Sequence, residues 1–256
     1  MDFLINFASG PLFRLCFTLM VLGLIRIAVL TIVGMIEALN RNEDRILPWG
    51  DLAGKTISWL LPISHLFRKR PFYSGVSFLF HIGLILVPLF LKAHVQTWKS
   101  AVGFSWFNMP QSLADSLTLL VILTALLIFL MRILYKPSRS ISRKQDYAWP
   151  LLLMVPFSTG YFCVNVDLSA GTYEWMMLIH LLSANLIMVM IPFTKIAHCM
   201  LIPFSQFVSG IGWKFPKGAG QKVIETLGLK GQPTWIDNPR LDNGRAIQIE
   251  KETTLQ

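Results

Sequence analysis

Charge is scarce in this chain. Asp, Glu, Lys and Arg together make up 14% of 256 residues, where a soluble domain carries about 25%, and apolar residues reach 54%. That balance excludes an ordinary water-soluble globule and defines an integral membrane protein. Cysteine is scarcer still. Cys16, Cys163 and Cys199 are the three cysteines and show no C-x-x-C pairing, so an Fe–S cluster, which usually takes four thiolates, is not expected within this chain. Each sits in an apolar run and reads as a small buried hydrophobe. No glycine loop of the phosphate-cradling kind and no nucleophile elbow is present, which removes the common nucleotide-binding and hydrolase readings. A basic segment before the first apolar run is also missing, so that run is expected to be a retained helix and not a cleaved signal. No internal repeat stands out.

What the chain does have is length in its apolar runs. Five of them, about 11–36, 72–94, 113–134, 148–166 and 174–203, are long enough for a hydrocarbon core of about 30 Å, which takes roughly 20 helical residues. Backbone groups in lipid must be satisfied within the segment, so the runs are expected to be helices. The fold class is therefore an all-α, five-helix membrane bundle. Basic residues set its expected orientation. Arg41, Arg45, Lys55, Arg68, Lys69 and Arg70 follow the first run, and Lys136, Arg139, Arg143 and Lys144 follow the third. Seven more lie after the fifth, from Lys214 to Lys251, whereas the opposite connections offer only Lys92 and Lys99. The positive-inside rule then puts the N-terminus outside and the C-terminus in the cytoplasm, as expected of a multi-pass protein of a cytoplasmic (inner) membrane. The net charge of +9 is thus mostly a topology signal, and nucleic acid is not an expected partner.

Histidine carries the chemistry. His180 and His198 are eighteen residues apart in one run, which on a continuous helix means one face and roughly 27 Å of axis. Imidazole at membrane depth usually serves a site, and neutral imidazole is a common axial ligand of haem iron. The second run holds His81 and, beyond Pro88, His94. Antiparallel helices pair an early histidine of one with a late histidine of the other, so His81 is expected opposite His198 and His94 opposite His180. Thirteen residues turn an ideal helix by about 220°, so His81 and His94 do not share a face unless the helix deviates at Pro88. His65 lies among Trp59, Leu60, Leu61, Leu66 and Phe67 before Arg68 and reads as part of an interfacial stretch. Arg26 is a charge inside the first run, for which a haem propionate is an apt partner. Trp98, Trp106, Trp149 and Trp175 fall at expected membrane edges and suit an aromatic belt.

Ser77 to Gly83 (SFLFHIG), Arg132 to Tyr135 with Pro137-Ser138-Arg139, and Ile191 to His198 (IPFTKIAH) with His180 before it resemble the cytochrome b gamma subunit of respiratory nitrate reductases over roughly residues 10–205. The resemblance implies that His81 and His198 hold a haem nearer the cytoplasm and His94 and His180 an outer one. The pattern departs at Leu91, where that family has its second helix-two histidine. The thirteen-residue spacing, the long first cytoplasmic segment with Pro62 to Arg68 and the extended tail look more like the membrane cytochromes b of heterodisulfide-reductase-like electron-transfer complexes of sulfate reducers.

This implies a subunit of a quinone-linked oxidoreductase complex, passing electrons through two b haems between menaquinone or another quinone and a cytoplasmic Fe–S protein, with a periplasmic cytochrome c as a further partner. A quinone site beside the outer haem has His94, Lys99 and Asp115 as candidates. Residues 1–205 form the expected bundle and 206–256 a cytoplasmic tail, with a short helix over 223–229 and with Trp235 and Ile236 as apolar anchors for the partner. The rival from another class is a haem-free anchor or transporter subunit, which would leave the histidines unexplained.

Overall fold

A computed structural model describes residues 1–42, 49–60, 71–212 and 219–228, the backbone alone at 59, 60, 220 and 221. The described residues fold as helices without a strand. In chain order these are α1 (Asp2–Ser9), α2 (Pro11–Arg41), α3 (Trp49–Leu60), α4 (Pro71–Phe90), α5 (Lys92–Val102), α6 (Gln111–Leu134), α7 (Lys136–Ile141), α8 (Lys144–Asn165) and α9 (Ala170–Met190). Two 3-10 turns, Ile191–Phe193 and Lys195–Ala197, lead to α10 (His198–Gly212), and α11 (Ala219–Thr226) follows. Among the described residues, five stretches are long and apolar enough to cross a membrane: Asp2–Arg41, Pro71–Phe90, Gln111–Leu134, Lys144–Asn165 and Ala170–Phe193. The protein is thus a multi-pass membrane protein by the length and composition of its helices.

The bundle is a row. α4 packs on α6, α6 on α8, α8 on α9, and α9 on α1 and α2, while α10 returns along α2 and covers α3. α4 and α9 make few direct contacts. The core is centred where Val76, Phe80 and Val87 of α4 meet Val121, Ala125 and Ile128 of α6 and Trp149, Leu153 and Phe157 of α8, with Ile187 and Met190 of α9 packed against it. Trp149 therefore belongs to the core and not to a belt, whereas Trp175 is exposed. α1 is tied to α9 by the buried Asn185, whose amide donates to the Ala8 carbonyl at 2.8 Å. A buried amide in an apolar bundle needs such a partner. A smaller cluster of Leu52 and Ile211 with Met35, Ala38, Leu39 and Phe207 packs α3 and α10 on the end of α2, so residues 206–212 belong with the bundle. The helix expected over 223–229 is α11, which starts earlier. His65, Trp235, Ile236 and the rest of the expected tail lie outside the described residues.

Two of the expected helices are broken. The second run ends as α-helix at Phe90, Leu91 is extended (φ −63°, ψ 132°), and His94 stands on the separate α5. The last carbonyls of α4 find donors from beyond the break, and that of Val87, which already takes the Leu91 amide at 3.1 Å, accepts a second. His94 Nδ1 donates to Val87 at 3.2 Å, Trp98 Nε1 to Pro88 at 3.2 Å, Trp106 Nε1 to Leu89 at 2.8 Å, and the Met109 amide to Phe90 at 2.8 Å. Trp98 and Trp106, expected as belt residues, are helix caps. Trp98 also meets Phe13 and Phe17 of α2 edge-on, so α5 is clamped across the bundle end.

The fifth run breaks likewise. α9 ends at Met190, Pro192 brings no N–H, and Thr194 is extended (φ −131°, ψ −176°). His180 and His198 are therefore not on one continuous helix, and the shared-face spacing does not describe them. Cys199, expected to be buried, is exposed just beyond the break.

α4 and α6 touch at Gly83, where an added Cβ would stand 2.9 Å from the Leu117 carbonyl oxygen and against the fully buried Val121 side chain. Gly83→Ala should cost about 1–3 kcal/mol, as overpacking does. Gly34→Ala, where nothing lies within 4 Å, should be neutral or slightly stabilising. Thermal unfolding in detergent checks the pair.

Candidate functional site

Each break brings a histidine to face one on another helix. His81, on α4, faces His198 at the start of α10, with ring centres 6.0 Å apart and planes at 82°. His94, on α5, faces His180 on α9, also with centres 6.0 Å apart but with planes at 11°. His94 reaches His180 because the chain restarts at Lys92; the 220° misalignment of an unbroken helix does not arise.

All four imidazoles are held in the same way. Nδ1 of His81 lies 2.6 Å from the Ser77 carbonyl, that of His180 2.8 Å from Pro156, that of His198 2.7 Å from Lys195, and that of His94 3.2 Å from Val87. A carbonyl only accepts, so in each ring Nδ1 carries a proton and Nε2 is the nitrogen left for a ligand. This is the tautomer a metal ligand needs, and the backbone partner also fixes ring direction. Burial, then the neighbouring His180, hold the His94 imidazole down to a pKa of about 4, so it is neutral at physiological pH.

Small residues make room for the rings. A Cβ at Gly160 of α8 would stand 2.9 Å from Cε1 and 3.0 Å from Nδ1 of His180. Gly160 is thus the floor on which the ring lies, beside the Pro156 carbonyl one turn earlier. On α2, Gly23 lets Pro192 pack closely, since a Cβ there would stand 2.6 Å from the proline ring. Arg26 lies one turn further, in a groove of about 240 Å³ with Leu19, Leu22, Ile27, Pro192 and Phe193.

The donor set suits haem. An iron held by two imidazole nitrogens at about 2 Å each leaves the ring centres roughly 6 Å apart. Among the described residues no group of three or more His, Cys, Asp or Glu could hold a metal ion, and haem needs none, because the porphyrin supplies four ligands and the protein two. Lys99 is exposed in the last turn of α5. Asp115 accepts from Gln111 at 2.8 Å and from Asn165 at 3.2 Å, which ties α6 to α8. Neither Lys99 nor Asp115 is hydrogen-bonded to a histidine of either pair among the described residues. The carbonyl anchors, Gly160 and the Asp146–Lys195 ion pair of 2.7 Å were not legible in the sequence; the nearest signal was a glycine within an apolar run.

A protein of Nitratidesulfovibrio vulgaris (strain Hildenborough) is 32% identical to the chain over 167 residues, which are 65% of this chain and 73% of that protein. The chain belongs to that protein's family. The relative is described only as a protein, so kinship brings no activity with it. No family model matches the chain, and no solved structure does.

The pairing can be tested without any cofactor. In full-length double variants His81→Cys/His198→Cys and His94→Cys/His180→Cys, with Cys16, Cys163 and Cys199 replaced by serine, a phenylene bis-maleimide should join the two introduced thiols, since two opposed imidazoles leave a span too long for a direct disulfide. The crossed pair His81→Cys/His180→Cys should take up separate reagents and no cross-link, as read by mass spectrometry. A cross-link in the crossed pair and none in the facing pairs would contradict the geometry.

Proposed function

We propose that this protein is the membrane cytochrome b subunit of a quinone-linked respiratory complex, binding two b haems between α4 and the α9–α10 segment. The observation that carries the reading is the set of two facing imidazole pairs, each ring tied at Nδ1 to a main-chain carbonyl. His81 and His198 would hold one haem, and His94 and His180 the other. Haem iron supplies one-electron redox chemistry when bound; the chain's share is ligation, orientation and exclusion of water. Ser77, Lys195, Val87 and Pro156 orient the ligands through their carbonyls. Arg26 has no ion pair or hydrogen bond among the described residues and stands beside the turn that leads to His198, which suits a propionate.

The relative comes from a sulfate reducer, the kind of organism in which the heterodisulfide-reductase-like complexes of the resemblance occur; the cytochrome b reading itself rests on the resemblance and the histidine pairs. On that reading electrons pass between menaquinone or another quinone and a cytoplasmic Fe–S subunit, with a periplasmic cytochrome c as a further partner. Lysine and arginine placement supports an inner-membrane protein with its N-terminus outside. Lys99 and Asp115 lie at the end of the bundle that holds the His94 pair and remain the proposed quinone contacts. The helix breaks at Leu91 and Pro192 are a feature shared with transporters, yet they fall at the ends of spans and not at mid-membrane, where transporter sites lie. A haem-free anchor gives no reason for four rings held in one tautomer.

Purified, fully loaded protein should carry close to two haems per chain and show a low-spin b-type spectrum when reduced. His81→Ala and His198→Ala should lose the same haem, and His94→Ala and His180→Ala the other. Gly160→Val should behave as His180→Ala, because its side chain would occupy the ring's place. A preparation without haem absorbance would sink the reading.

The ring planes give a second signature. Parallel imidazoles act on one iron d orbital and split the pair, whereas perpendicular ones act on both and leave them nearly equal. The His81–His198 haem should therefore give the more anisotropic low-spin EPR signal, and the His94–His180 haem the more rhombic one. Assignment in the single-ligand variants decides it.

A further inference from the structure

His198 has an unusual placement for a ligand. It follows seven residues, 191–197, that are organised only as two short 3-10 turns, and it is itself exposed. The internal bonds of this segment are few. The Thr194 hydroxyl donates to Met190 at 2.9 Å, and the Ala197 amide donates to Thr194 at 3.1 Å. Neither reaches another helix. Pro192 packs on Gly23 of α2 and Ile196 on the core, contacts without direction, and one described side chain of the segment hydrogen-bonds to another helix: Lys195 Nζ donates to both carboxylate oxygens of Asp146 at 2.7 Å.

Asp146 is a firm anchor. It lies in the first turn of α8 with its side chain only 11% exposed, and its second oxygen accepts the Arg143 amide at 2.8 Å, closing the helix cap. A carboxylate is favoured at that end by the helix dipole. The Lys195 carbonyl in turn accepts Nδ1 of His198 at 2.7 Å. One residue thus joins α8 through its side chain to the His198 ring through its main chain.

Resting on the haem reading of the His81–His198 pair, we propose that the Asp146–Lys195 ion pair is the positioning device that holds His198 in register with His81. Both residues act through the ligand and touch no cofactor. An exposed ion pair ordinarily contributes little to stability, so the contribution expected here is directional: it fixes the turn whose carbonyl aims the ring. The other pair has no such need, because His180 lies within a continuous helix and on Gly160.

The test uses full-length, haem-loaded protein in detergent and carbon monoxide, which binds ferrous haem only where an axial position is free. The parent protein should bind none. Asp146→Asn, which can keep the α8 cap, and Lys195→Met, which does not touch it, should each make one of the two haems reactive to carbon monoxide and alter the EPR signal assigned to the His81–His198 pair. The other haem should be unchanged, which reports that the bundle is folded. Lys195→Arg should restore the parent behaviour. Both neutral variants remaining inert to carbon monoxide with an unchanged EPR signal would overturn the positioning role and leave the haem reading intact, as would Lys195→Arg behaving like Lys195→Met. A parent protein without haem would instead remove the haem reading itself.

Discussion

An imidazole offers a metal one nitrogen in a fixed direction only when its other nitrogen is engaged, and in an apolar bundle the engaged partner must come from the protein. Among the described residues, all four facing imidazoles have one nitrogen engaged in this way. Water cannot serve inside the bundle, and side-chain acceptors are rare in spans this apolar, so main-chain carbonyls are what remains. Carbonyls in the middle of a helix are taken by amides four residues on, although each has a second lone pair. His81 uses such a lone pair on Ser77 of its own helix, and His180 uses one on Pro156 of the neighbouring helix.

The other two histidines use second lone pairs as well, beside helix ends: the Val87 carbonyl also takes the Leu91 amide, and the Lys195 carbonyl the His198 amide. What the breaks at Leu91 and Pro192 add is direction: they turn the chain so that a histidine faces its partner ring. Unpaired carbonyls at such ends would be costly in lipid. Trp98, Trp106 and Met109 complete the set at α4, which explains two tryptophans that surface location alone does not.

The two sites differ in how they are held. The His94–His180 pair is packed between α5 and α9 over Gly160, with α5 clamped to α2 by Phe13, Phe17 and Trp98. The His81–His198 pair has one partner on a firm helix and one after an irregular turn, near the ion pair of Asp146 and Lys195. A rigid site and a tethered one are therefore built from the same residue type, and the angle between ring planes differs accordingly, 11° against 82°.

Hydropathy and length alone specified the membrane class and five spans, because backbone satisfaction in lipid admits few alternatives. Histidine spacing together with antiparallel topology named the four rings that face one another. It placed His180 and His198 on one helix, however, and left His94 on the wrong face of another, because a periodic reading carries a helix through Pro192 and past Leu91 when both neighbourhoods are apolar. Where a helix stops depends on whether its last carbonyls find donors, and the donors here come from residues 94 to 109 and from the Thr194 turn. Glycine offered as little warning, since Gly34 and Gly160 look alike in an apolar run and only the second has a ring against it. Composition decided the solvent in which this chain folds; the meeting of distant carbonyls, glycines and an ion pair with four imidazoles was decided by the tertiary structure, because those contacts join helices that no local pattern relates.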